Sequence, residues 1–160
     1  MANTIREQRL IDSNKRTLVK YVIISDGTQE SNTRLLDAST LAFSLNANGY
    51  IMQSNTHPKS TYKTSIKKIK AYGRSSGTLR LKWEGDANSE IVVFGSSIDL
   101  GEEGESVLIQ NPEANATGDI LVSTANLVFG DAVTLIIDLK KDNAYYDAGQ
   151  TARPYDFNRG

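Results

Sequence analysis

A chain of 160 residues, 39% hydrophobic and 23% charged, is long enough to bury a core as one domain and has the composition of an ordinary globular protein. It has no cysteine, which excludes disulfides and Cys-based zinc sites, and its apolar runs are all too short for a transmembrane helix. The net charge is −1, but residues 1–80 hold 13 Lys and Arg against 5 Asp and Glu, whereas residues 81–160 hold 5 against 14. In one β domain the strands of both halves interleave, so the imbalance is expected to cancel within the fold. The alternative is a dipolar surface that docks against neighbouring copies or partners.

The first 16 residues, "MANTIREQRLIDSNKR", lack the apolar core of a signal peptide, so the chain is expected to be made in a cytoplasm. They read as an N-terminal arm, or as an edge strand plus an arm. "TLVKYVIIS" (17–25) is rich in β-branched and aromatic residues and closes on the turn signal "DG". "DASTLAFSL" (37–45) is an ambiguous apolar stretch, "NANG" (46–49) is turn-like and precedes "YIMQ", and "SNTHPKST" (54–61) reads as a loop. "SIKKIKAYG" (65–73) places Ile66, Ile69 and Tyr72 at helical spacing, yet its short length and the nearby Gly73 and Gly77 favour a strand with a bulge.

"TLRLKWEG" (78–85), the turn "GDANS" and "EIVVFGS" (90–96) make an antiparallel hairpin. "SVLIQN" (106–111), "DILVSTA" (119–125) and "AVTLIIDLKK" (132–141) complete the set. In the last of these, Val133, Leu135, Ile137 and Leu139 share one face, and Ile136 on the opposite face suggests some cover there. Short strands spaced by turns, with no convincing long helix, predict an all-β fold: a single β-sandwich or jelly roll over residues 17–141. Residues 142–160 have no strand period and form an extended C-terminal arm. Partner contacts are expected from the arms, through Ile5, Arg6 and Arg9 at one end and Tyr145, Tyr146, Arg153, Tyr155 and Phe157 at the other.

Motifs for chemistry are sparse. His57, the only histidine, sits before Pro58 in a polar loop with no candidate partner, so neither a catalytic triad nor a histidine metal site is expected. The acidic run "DLGEEGE" (99–105) offers Asp99, Glu102, Glu103 and Glu105 as oxygen ligands, but without the alternating spacing of a calcium loop. "GRSSG" (73–77) lacks phosphate-loop spacing and reads as a turn, and "NAT" (115–117) matches the glycosylation triplet without a signal peptide. Lys59, Lys63, Lys67, Lys68, Lys70, Arg74 and Arg80, with Tyr62 and Tyr72 among them, raise nucleic-acid binding. The overall pI of 5.8 argues against it. Trp83 alternates with Leu79 and Leu81 against charged neighbours, which reads as core rather than as a ligand platform. No enzyme, no metal and no cofactor is expected.

The second half has a distinctive order. A strand ending in Leu-x-Leu-x-Trp and an acidic turn ("LKWEGDANSEI") leads to a short apolar strand, a Gly-rich segment, Asn111-Pro112, "TGDILVST" and "GDAVTLIIDLKK". With "IREQRLIDSNKRTLVKYVIISDG" at the start, this resembles a family of small virion structural proteins of tailed bacteriophages, over about residues 5–141. The resemblance implies a β-rich, non-enzymatic component of the phage particle. A capsid decoration or cement protein follows from the size, the β class and the arms. Its expected partners are the major capsid protein or other virion proteins, in a homo-oligomer or symmetric array. Alternatives are a neck or tail adaptor, a fibre-attachment protein, or a carbohydrate-binding module for host attachment.

Overall fold

A computed structural model describes residues 3–13, 15–42, 44–45, 51–52, 64–101, 109–113 and 116–141. The fold is all-β. The strands are β1 (Thr4–Asp12), β2 (Arg16–Ile24), β3 (Thr33–Leu36), β4 (Ser44–Leu45), β5 (Ile51–Met52), β6 (Thr64–Arg74), β7 (Thr78–Trp83), β8 (Glu90–Phe94), β9 (Ile98–Leu100), β10 (Ile120–Ala125) and β11 (Ala132–Lys141). Among the described residues one 3-10 turn, Ala38–Thr40, interrupts them, with Asp37 accepting from the Ser39 amide at its start.

Two antiparallel sheets make a sandwich. One runs β1-β2-β11-β6-β9, the other β3-β10-β7-β8, and β4 pairs with β5 in a separate ribbon. Alternation puts Val19, Tyr21 and Ile23 of β2 inward, together with Val133, Leu135 and Ile137 of β11. They meet Leu79, Leu81 and Trp83 of β7 and Ile120 and Val122 of β10 in one cluster. Trp83 has no exposed surface. It is the largest of the fully buried side chains among the described residues and belongs to the cluster that both sheets share.

The ambiguous segment 65–73 is strand β6, and its helical spacing has a physical origin. Opposite β11, Lys68 faces Asp138 and Ile66 faces Leu139, so Lys67 is an extra residue in β6. This bulge turns both Ile66 and Ile69 into the core although they lie three residues apart.

Over residues 4–12 the N-terminal segment is the edge strand of the two readings, not an arm. These residues form edge strand β1, paired with β2 from Thr4↔Ile24 to Asp12↔Thr17. Ile5 packs against the core. Arg9 donates to the Thr40 carbonyl at 2.8 Å, and the Tyr21 hydroxyl donates to Glu7 at 3.1 Å. "TIREQRLID" has little apolar alternation, but ladder hydrogen bonds come from the backbone and require none. Residues 142–160 lie outside the described residues.

Candidate functional site

The outward side chains of the two sheets differ in what they touch. On the five-stranded sheet, cross-strand partners share a face, so its outer surface can be assembled rung by rung. One rung carries Arg6, Val22, Thr134 and Tyr72. The next carries Gln8, Lys20, Ile136, Lys70 and Asp99. A third carries Ile11, Leu18, Asp138 and Lys68, and the ends add Ile24, Arg74, Arg16 and Lys140. Between the second and third rungs lies a dimple of about 250 Å³. Leu10, Leu18 and Ile136 give it an apolar lining, with Arg16, Lys68 and Lys70 among its other walls.

The charge on this face is one-sided. Among the described residues, Asp99 and Asp138 alone oppose its seven cations. Asp138 is already engaged, because Arg16 grips it with two bonds of 2.8 and 3.0 Å. Arg6, Lys20, Lys68 and Lys70 make no ion pair among the described residues. The apolar side chains interleaved with them are partly or largely exposed, with Leu10 at 47% and Tyr72 at 50%.

Four carboxylates of the acidic half are buried and bonded among the described residues, three of them away from this face and Asp138 on it. Glu113 accepts from the amides of Ala87 at 2.8 Å and Ser89 at 2.6 Å and from the Ser89 hydroxyl, clamping the β7–β8 turn. Gly85 is required there, since a Cβ would sit 2.4 Å from Cβ of Glu113. Asp131 accepts from Ser76 at 2.9 Å and Val128 at 3.0 Å, tying "GRSSG" to the β10–β11 loop. The hydrogen bonds hold both carboxyls below the ordinary carboxylate range, led by the Ser89 hydroxyl for Glu113 and the Ser76 amide for Asp131. Asp119, fully buried, accepts from the Ala38 amide at 2.8 Å and lies 2.9 Å from Nε of Arg34. Asp138 is the fourth.

A buried lysine closes the end of the five-stranded sheet. Lys141 Nζ donates to Asp12 at 2.7 Å, to the Ala42 carbonyl at 2.7 Å and to the Ser13 carbonyl. Burial pushes its pKa down, and Asp12 opposes that shift. The contact locks β1, the segment after the 3-10 turn and the last residue of β11 together.

The structure divides the basic cluster proposed from sequence. Lys68, Lys70, Tyr72 and Arg74 lie on the five-stranded outer face, Lys67 is the bulge residue, and Arg80 belongs to the other sheet. Lys59, Tyr62 and Lys63 lie outside the described residues. Sequence proximity missed Arg16, Leu18, Lys20 and Ile136, which arrive from β2 and β11. The off-core parity of Lys20 within "TLVKYVII" was the available signal. Of the expected arm contacts, Arg6 is on this face, while Tyr145, Tyr146, Arg153, Tyr155 and Phe157 fall outside the described residues. So do His57, Asn115, Glu102, Glu103 and Glu105, whereas Asp99 is on strand β9 opposite Lys70. Among the described residues no group of three His, Cys, Asp or Glu is placed to hold a metal, and no helix is long and apolar enough to cross a membrane.

No protein-family model, curated protein or solved structure matches the chain.

Proposed function

We propose that the chain is a non-enzymatic structural component of a tailed-phage particle, a decoration or cement protein that attaches through the outer face of its five-stranded sheet. The observation that carries this reading is the character of that face: cations without ion pairs among the described residues, mixed with exposed aliphatic and aromatic side chains, around an apolar dimple. Exposed apolar area rimmed by charge is the usual mark of a protein interaction surface. The resemblance to small phage virion proteins supplies the particle. Its most specific segments fall on the β7–β8 hairpin and on β10, the middle of the four-stranded sheet. Burial of Trp83 counts against the carbohydrate-binding alternative, which would use an exposed aromatic platform.

The test is to image purified particles carrying a label on this chain. Label at symmetric positions over the shell is expected. Label confined to the neck or tail would make the protein an adaptor, and particles without label would remove the virion reading. A second measurement bears on residues 142–160. A chain ending at Lys141, the last described residue of β11, should melt as the full chain does but be lost sooner from particles under salt or heat. Equal retention would leave attachment to the sheet face alone.

A further inference from the structure

We infer that the outer face of the five-stranded sheet docks an acidic protein surface that seats an apolar side chain in the dimple between Leu10, Leu18 and Ile136. The inference deepens the attachment reading above and rests on it, without depending on which particle is involved.

Charge complementarity is the first argument. Lys20 and Lys70 stand on the same rung with Ile136 between them, so two strand spacings separate them, about 10 Å. Lys68 and Lys70 alternate along β6 and are about 7 Å apart. An extended segment of a partner repeats its own same-side residues at about that second interval, so alternate carboxylates can meet successive lysines. Among the described residues, Glu113, Asp119, Asp131 and Asp138 are buried and already bonded, and Asp99, opposite Lys70, is the one exposed carboxylate on the face.

The apolar component decides which kind of acidic partner fits. Nucleic acid brings phosphates and flat bases, and it is gripped by aromatic platforms between cations. Here Tyr72 is the single aromatic side chain on the described outer face, and the side chains between the cations are Leu10, Ile11, Leu18, Val22, Ile24 and Ile136. An aliphatic floor gives phosphates nothing to bond. It does give an apolar side chain between two carboxylates a place to be buried, which is the composition of a protein interface.

The probe is a fluorescent random copolymer of glutamate and tyrosine, titrated into the full chain, with polyglutamate and an oligothymidylate as competitors. The copolymer should bind more tightly than either, and binding should weaken as salt rises. The double variant Lys20→Glu/Lys70→Glu should lose ~10-fold in affinity with an unchanged melting temperature. Lys82→Glu, on the opposite face, should stay within about twofold. Leu18→Ser should lower binding of the copolymer but leave that of polyglutamate unchanged, separating the dimple from the charge. Tighter binding of oligothymidylate would make the face a nucleic-acid surface and overturn the inference. Equal loss in Lys82→Glu, or no copolymer binding, would overturn it too. If the double variant loses the copolymer but stays on particles, the face is not the attachment site. A chain that binds the copolymer yet is absent from particles loses the virion reading instead.

Discussion

The outer faces of the two sheets have the same alternation of charged and apolar residues, yet among the described residues only one of them pairs most of its charges. On the four-stranded sheet, Arg80 of β7 meets Glu90 of β8 at 3.0 Å, and Lys82 donates to Asn32 at 3.1 Å. Arg34 of β3 lies 2.9 Å from Asp119 and within 4 Å of Asp37 and Glu84. Leu121, in the middle of that surface, is 4% exposed, while Val93 on its edge strand β8 is 39% exposed. On the five-stranded sheet, Lys20, Lys68 and Lys70 have no such partners among the described residues, and the aliphatic side chains between them stay accessible. The difference arises from which strands adjoin. In the four-stranded sheet a basic strand lies beside strands and turns that bring acid, whereas β2 and β6, both basic on the outside, flank β11. A sheet face that satisfies its own charges has no use for a partner, and one that does not has a reason to bind.

Both faces rest on one core, and the largest expected effect removes their common support. Trp83→Ala should destabilise the domain by roughly 3–5 kcal/mol, read by chemical denaturation. A loss below about 1 kcal/mol would mean that Trp83 does not hold the sheets together. Next comes the end of the five-stranded sheet. Lys141→Ala leaves Asp12 and two carbonyls without their shared donor and should cost about 2 kcal/mol, with no counterpart on the other sheet.

The third prediction concerns pH. Glu113 and Asp131 have folded pKa values below their unfolded ones, so they add stability that is complete above the ordinary carboxylate range. That contribution is lost as pH falls below about 4 and through the depressed folded values. Melting temperature should therefore drop in that window, and Glu113→Gln should flatten part of the drop. A melting temperature that holds constant through it would contradict the clamping role.

The smallest effects bear most directly on the two faces. Arg80→Ala breaks an exposed pair and should cost about 0.5 kcal/mol, removable by salt. Lys70→Ala should change stability by about zero, because no pair is lost among the described residues. If Lys70→Ala proved the more costly of the two, the contrast between the faces would be wrong.

Much of the core was legible in one dimension. Leu79, Leu81 and Trp83 alternate cleanly, as do Val133, Leu135 and Ile137, and all six are buried. The β7–β8 hairpin was legible for the same reason, with its turn residues between two alternating runs. Three elements were not. β3 ("TRLL") and β9 ("IDL") are too short to show a period, and β9 was hidden at the head of an acidic run. β1 lacks the apolar alternation that marks a strand, so the sequence left an arm and an edge strand open, and pairing with β2 decides for the strand.

What the chain determines locally is therefore the inward parity of each strand, because a side-chain period of two is written residue by residue and burial follows it. What only the tertiary structure decided is the identity of each strand's neighbours. β2 and β11 are adjacent although more than a hundred residues separate them, and no local pattern encodes that pairing. The adjacency gathers Lys20, Ile136 and Lys70 on one rung, while Glu113 and Asp131 turn inward to cap loop amides. Net charge is a sum over the chain, but a binding face depends on which charges folding leaves outside, and that is set by long-range strand order.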